Sequence, residues 1–271
     1  MLAELISIPT SANPLDGLLY EAPRATHAAL LMHGNGMNFY YGASRFLPPR
    51  LAEVGISALA YNRHGHDTVS AATRTAEGSA YQTIAEASED NERAAAFLAD
   101  RGFAAPVVIG HSNGGMLAAH HASRHSETPA LVLLSAHCGG REVLPRSAAN
   151  GLFGRDRLAE YLEQAHELVD AGRGEELMLL PGWYYVTTAA SLVDMESNVP
   201  VLTESATSIS CPVLFIRGDT EDPELYPAEA FAAAAPGPVD VMVLDGCDHF
   251  YTGIEDEVGG IVADWLAERL G

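Results

Sequence analysis

Gly110-His111-Ser112-Asn113-Gly114 holds one hydroxyl between two glycines, after the apolar run Val107 to Ile109 and ahead of an Ala-rich helical pattern from Met116 to Ala122. A strand that turns directly into a helix pinches the backbone at its middle residue, and glycines two positions away on either side relieve the crowding. Such a turn lifts the Ser112 hydroxyl above the carboxyl edge of a sheet and aims backbone N–H groups at the same space. A serine is a poor nucleophile unless a base takes its proton and an acid orients that base. The chain supplies candidates for both, and in the order a nucleophile elbow requires. The run Val213 to Ile216 leads into Arg217-Gly218-Asp219-Thr220-Glu221-Asp222-Pro223, with three carboxylates. Val239 to Leu244 leads into Asp245-Gly246-Cys247-Asp248-His249-Phe250. An oxyanion formed by attack on a carbonyl needs two N–H donors, each worth roughly 2.7–4 kcal/mol of barrier. The N–H of Asn113, directly after the serine, is placed to be one of them.

These groups must be carried to one edge by the elements between them. Short β-prone apolar runs alternate with longer helical patterns, which reads as strand–helix units on a mostly parallel sheet with helices on both faces. Leu2 to Ile8 and Leu18 to Glu21 read as an opening antiparallel pair around the turn signal Asn13-Pro14-Leu15-Asp16-Gly17. Ala28 to Met32, Ile56 to Tyr61, Val107 to Ile109, Leu131 to Leu134, Val213 to Ile216 and Val239 to Leu244 are apolar runs without alternation, as expected of strands covered on both faces. Helices are expected at 86–100, 116–125, 228–235 and 255–270. The last has Ile254, Val258, Ile261, Val262, Trp265 and Leu266 on one face and acidic residues in its first turn. Between Ser135 and Val213 the alternation breaks. An amphipathic helix over 155–169, the turn Pro181-Gly182 and a second helical piece over 187–195 suggest a lid inserted at a loop of the carboxyl edge.

At 271 residues the chain is long enough for one large α/β domain. A formal charge of −21 repels phosphate backbones and anionic lipid, which argues against nucleic-acid and membrane partners. Cys138, Cys211 and Cys247 are odd in number, far apart and without a CxxC neighbour, so neither a disulfide framework nor structural zinc is expected. No signal peptide is read at the N-terminus, and no stretch approaches the roughly 18 unbroken apolar residues of a membrane span. The cytoplasm is the expected location.

The chain resembles the α/β-hydrolase superfamily over nearly its whole length. His33-Gly34 after the first central strand, Gly110-His111-Ser112-Asn113-Gly114, the acidic turn 218–222 and Asp248-His249-Phe250 carry the resemblance, in the right order. It implies Ser112 as nucleophile and His249 as general base and acid. The family's spacing from Gly218 points to Glu221 as the orienting acid, whereas Asp222-Pro223 resembles the usual Asp-Pro of this turn, so Glu221 and Asp222 both stand as candidates. The second oxyanion donor is placed in His33-Gly34-Asn35-Gly36, on Asn35. The implied organisation is a core of 1–138 and 206–271 with a helical lid of 139–205. The implied activity is serine hydrolysis of an ester, thioester, lactone or amide of a small organic molecule through an acyl-enzyme, with no metal or organic cofactor. An acyltransferase, cyclase or C–C lyase on the same groups, or a small-molecule binding protein with vestigial catalytic residues, are the alternatives. His33 to Tyr40 together with Asp248 to Tyr251 resembles, locally, a group that includes siderophore esterases, which points to natural-product chemistry.

Other residues have plainer readings. Phe39, Tyr40, Trp183 and Tyr184 are the expected aromatic contacts to substrate, with lid packing as the competing role. His33 is expected to be bonded to backbone, and Asn62-Arg63-His64-Gly65-His66-Asp67 to anchor loops beside the site, with His64 or His66 as candidate substrate contacts. His120, His121 and His125 include an i, i+4 pair of the kind that binds metal, but lack a nearby carboxylate partner and read as a solvated or packed helix face.

Overall fold

The computed structural model describes residues 2–10, 13–64, 67–70 and 74–271. In chain order the strands are β1 (Leu2–Ile8), β2 (Leu15–Glu21), β3 (His27–Met32), β4 (Ile56–Tyr61), β5 (Val107–His111), β6 (Leu131–Leu134), β7 (Leu177–Leu180), β8 (Tyr185–Thr188), β9 (Val213–Gly218) and β10 (Val239–Leu244). All but β7 and β8 join one sheet in the order β1-β2-β4-β3-β5-β6-β9-β10. The β1–β2 and β2–β4 pairs are antiparallel, and every other pair in this sheet is parallel.

Alternate side chains of the central strands enter two separate cores, as the two-residue period of a strand demands. Leu30, Val108, Leu133 and Phe215 face one way; Leu31, Ile109, Val132 and Ile216 face the other. On the second face lie α1 (Ala43–Glu53) and α9 (Glu255–Leu270), burying Leu47, Leu51, Val258, Val262 and Leu266. On the first lie α2 (Ile84–Asp100) and α3 (Asn113–Arg124). The sequence shows no signal for α1, because Pro48 and Pro49 sit inside it. Proline in a helix interior removes a backbone donor and costs about 3 kcal/mol, and here burial against α9 outweighs local propensity. α2 begins two residues earlier than its apolar pattern does. Thr83 and Glu86 close a capping box at its start.

Residues 139–205 leave the sheet between β6 and β9. They carry α4 (Val143–Ala149), α5 (Leu158–Asp170), the antiparallel hairpin β7–β8, α6 (Ala189–Asn198) and most of α7 (Leu202–Ala206). The helical piece expected over 187–195 starts later, because Thr187 and Thr188 end β8. The Thr188 hydroxyl then caps α6 by accepting from the Ser191 N–H at 3.1 Å. The two ends of the segment meet at a Gly139–Val201 bridge, reinforced by the Leu202 N–H donating to Cys138 O at 2.9 Å. A Cβ on Gly139 would lie 1.9 Å from Pro200 O, so only glycine permits this approach. After α8 (Ala228–Ala234) and β10, α9 closes the chain. Among the described residues no helix is long and apolar enough to cross a membrane.

Candidate active site

Ser112 sits between β5 and α3 with φ 57° and ψ −120°, a conformation costly for any residue but glycine. Its neighbours make the turn possible. A Cβ on Gly110 would lie 2.2 Å from Gly114 O, and one on Gly114 would lie 2.0 Å from Met32 O. The Ser112 N–H donates to Leu134 O at 2.9 Å, which ties the turn to the adjacent strand.

Strands β9 and β10 deliver the other two groups to the same edge. The Ser112 hydroxyl stands 3.0 Å from His249 Nε2, although 137 positions separate them in the chain. His249 Nδ1 stands 2.7 Å from Glu221 Oε1. Glu221 Oε2 accepts from the Gly218 N–H at 2.8 Å and from the Ser135 hydroxyl at 2.7 Å. The Glu221 side chain is only 4% exposed, and each of its carboxyl oxygens has a hydrogen-bond partner. Asp222 takes no part in this chain of bonds. Its carboxylate accepts from Asn150 Nδ2 at 2.8 Å and from the Glu224 N–H at 2.9 Å. Those bonds, the Asn150 one first, lower its pKa. Asp219 is exposed.

Several supports escaped the sequence reading. His111, the residue before the serine, spans the gap to the histidine loop: its Nε2 donates to His249 O at 2.8 Å. Burial, then the neighbouring His249, pushes its pKa down to about 3, so the ring is a neutral donor. Ser135, at φ 45° just past β6, links Glu221 to the Tyr251 hydroxyl at 2.8 Å. Burial raises the Tyr251 pKa well above its usual value, so this hydroxyl keeps its proton. The signal for Ser135 was positional, since it follows a central strand at the same carboxyl edge.

A cavity of about 200 Å³ opens beside Ser112 and His249. Leu225, Tyr226 and Phe250 line it together with Ser147, Leu152, Phe153 and Trp183, the last four all from segment 139–205. Of the expected aromatic contacts only Trp183 lines it. Phe39 is half-buried against the core on the α1 and α9 face of the sheet and donates its N–H to Asn62 Oδ1 at 2.9 Å. Tyr40 is exposed, and Tyr184 is 84% exposed beside a separate shallow groove. Phe153 takes the place expected of them, its ring 4.5 Å from that of Tyr185. His137 also lines the cavity. The Gly139 N–H donates to its Nδ1 at 3.1 Å, and burial pushes its pKa down to about 4, which leaves a neutral ring with the proton on Nε2.

Asn35 and Asn113 stand together at the mouth of the elbow, joined by Asn113 Nδ2 donating to Asn35 Oδ1 at 3.1 Å. Among the described residues neither backbone N–H donates to a backbone carbonyl. His33 is buried and bonded to backbone: Nδ1 meets Gly34 O at 2.8 Å, and Nε2 accepts from the Arg63 N–H at 3.3 Å. His64 does not line the cavity and pairs with Asp90 at 2.9 Å. His66 lies outside the described residues.

The three helix histidines need a correction. Glu92, from α2, lies 3.2 Å from His121 Nδ1 and 3.0 Å from His125 Nε2, so two of them do have a carboxylate partner. The contact joins residues 33 positions apart, Glu92 and His125, where no local spacing can reveal it.

A comparison with curated proteins finds no significant match. Solved structures share the fold across their full length. Est1E from Butyrivibrio proteoclasticus, solved with ferulic acid bound, is 17% identical over 98% of this chain and 99% of that one, with a TM-score of 0.74. DcsB, in complex with its substrate analogue, is 13% identical over 100% of both chains, with a TM-score of 0.76. A highly thermostable carboxyl esterase from Bacillus coagulans is 15% identical over 100% of both, with a TM-score of 0.73. The model of the alpha/beta hydrolase family matches residues 29–261, from β3 into α9, and the chain belongs to that family.

Proposed function

We propose that the protein is a serine hydrolase that cleaves esters of small organic acids through an acyl-enzyme. The observation that carries this reading is the unbroken chain of hydrogen bonds Ser112–His249–Glu221, ending at an apolar cavity. Ser112 Oγ attacks the carbonyl carbon and His249 Nε2 takes its proton. The N–H groups of Asn35 and Asn113 receive the oxyanion, and Glu221 holds the imidazole in the tautomer that can accept. Collapse expels the leaving alcohol with the proton from His249. A water then enters and attacks the acyl carbon as His249 takes one of its protons; the carbon–Oγ bond breaks, His249 returns the proton to Ser112 Oγ, and the acid leaves. At about 200 Å³ the cavity is smaller than the roughly 300–1,000 Å³ of drug-sized pockets, which favours a short acyl group. The carboxyl esterase of Bacillus coagulans and an esterase of Pyrococcus furiosus, among the structural relatives, support the ester as scissile bond. Segment 139–205 acts as a lid that excludes water and sets acyl size.

The test pairs a fluorophosphonate probe with p-nitrophenyl esters of rising chain length. Labelling that disappears in Ser112→Ala, with hydrolysis strongest for the short esters, is the expected outcome. Folded wild-type protein that neither labels nor hydrolyses any of the esters would refute the proposal.

A further inference from the structure

On the face of α3 remote from its N-terminus, Glu92 of α2 with His121 and His125 brings three ligand atoms within 4.8 Å of one another. We propose that these residues form a binding site for a zinc-class divalent cation, which staples α2 to α3 with solvent completing the coordination.

Four observations support it. First, two imidazoles and a carboxylate are donors suited to zinc, and the His125 ring, on the residue that caps α3, stacks on that of His121 with centroids 4.1 Å apart. Second, the two edges to the carboxylate fit. Tetrahedral zinc with bonds of about 2.0–2.1 Å has ligand–ligand edges near 3.3 Å; Glu92 lies 3.2 Å from His121 Nδ1 and 3.0 Å from His125 Nε2, and the two imidazole nitrogens lie within 4.8 Å of each other, a gap that closing on a cation would shorten. Third, His121 is only 5% exposed, yet its Nδ1 has no hydrogen bond; Glu92 approaches within range but without the alignment a hydrogen bond needs. A buried nitrogen left in this state is costly, and a cation would satisfy it. Fourth, the Glu127 carboxylate lies 3.1 Å from His125 Nδ1, the outer-shell arrangement that fixes a ligand imidazole.

The site is distinct from the catalytic one. His121 stands nine residues along α3 from Ser112, about 13 Å at the helical rise. Glu92 and His125 are 36% and 30% exposed, so a cation can enter from solvent. Arg124 shares the groove with Glu92 and His121 and opposes a cation there.

The experiment titrates zinc, and separately cobalt, into chelator-treated full-length protein, by calorimetry and by visible absorption. One equivalent is expected to bind, to raise the melting temperature, and to give cobalt the visible bands of a four-coordinate site. Because His121 is buried, the variants are placed at the two partly exposed ligands. Glu92→Gln and His125→Ala should each weaken binding by more than about 100-fold, beyond the roughly 10–100-fold typical of losing an outer-shell partner such as Glu127. His120→Ala should leave it unchanged, and Arg124→Gln should tighten it. Absence of an equivalent of bound metal, or affinity indifferent to both Glu92→Gln and His125→Ala, would overturn the proposal.

Discussion

Replacing Glu221 by glutamine tests the proposed mechanism at the atom where the two candidate acids differ. One carboxylate oxygen accepts from the Gly218 N–H at 2.8 Å and the other meets His249 Nδ1 at 2.7 Å. The backbone donor cannot turn away, so the glutamine oxygen must occupy the first position and its NH2 must face His249. An NH2 there demands a lone pair on Nδ1. The proton of the neutral imidazole then moves to Nε2, which stands 3.0 Å from Ser112 Oγ and can no longer take its proton. A wrong tautomer of this kind costs about 10⁴ in kcat in a comparable triad. We expect a fall of roughly 10³–10⁴, about 4–5.5 kcal/mol at 1.36 kcal/mol per decade. KM should change little, because Glu221 touches no part of the cavity. Asp222→Asn serves as the control. It weakens only the contacts to Asn150 and Glu224 and should keep activity within about threefold. Initial rates on p-nitrophenyl butyrate, with circular dichroism and melting curves to verify folding, decide the matter. If Glu221→Gln keeps more than about a tenth of kcat, or Asp222→Asn falls as far, the assignment of the acid is wrong.

Other perturbations reach different parts of the argument. Phe153→Ala should enlarge the cavity and raise the ratio of hexanoate to acetate ester hydrolysis, at a stability loss of about 3–5 kcal/mol; an unchanged ratio would remove Phe153 from the acyl site. Gly114→Ala, whose Cβ would lie 2.0 Å from Met32 O, should lower stability by more than about 3 kcal/mol in urea unfolding or prevent soluble expression. A well-folded Gly114→Ala enzyme would contradict the packing described for the elbow. The hydrogen bond to Asp90 raises the His64 pKa against the opposing effect of burial. The pair therefore contributes fully below the unfolded value of about 6.5 and fades as pH rises through the raised folded value. The stability gap between wild type and His64→Gln should be wider at about pH 5.5 than at about pH 9; a gap independent of pH would deny the charged pair.

The parallel sheet was legible because strands covered on both faces leave unbroken apolar runs, and α9 because its apolar face and acidic first turn agree. The elbow was legible for a steric reason: Gly110 and Gly114 leave no room for a Cβ, so the backbone constraint is written directly as residue type. Elements that rely on distant support were hidden. Helix α1 carries Pro48 and Pro49 and forms against α9 despite them. Strand β7 is four residues long and exposes alternate side chains, too short a signal to separate from a loop. Phe39, Tyr40, Trp183 and Tyr184, the aromatic residues expected to contact substrate, cluster in sequence, and of these only Trp183 lines the cavity. Phe153 reaches the site only because it turns at φ 35° and packs on Tyr185, which no local pattern encodes. The Glu92 contact to α3 was invisible for the same reason.

Glu221 and Asp222 show why sequence separates neighbouring carboxylates only narrowly: spacing from Gly218 puts Glu221 ahead, and the Asp-Pro pattern keeps Asp222 close behind. Both lie on the turn after β9, and backbone direction alone decides which enters the sheet edge. Glu221 turns in, where Gly218 and Ser135 saturate one oxygen and His249 takes the other. Asp222 turns out and accepts from Asn150, while Glu224 two residues on pairs with Arg146 of α4. One short turn therefore fastens the histidine on its inner side and the segment carrying Ser147, Leu152 and Phe153 on its outer side. The groups that would perform the chemistry and the wall that would select the acyl group share this support. The Asp-Pro dipeptide that suggests a catalytic role for Asp222 is explained instead by the docking of that wall.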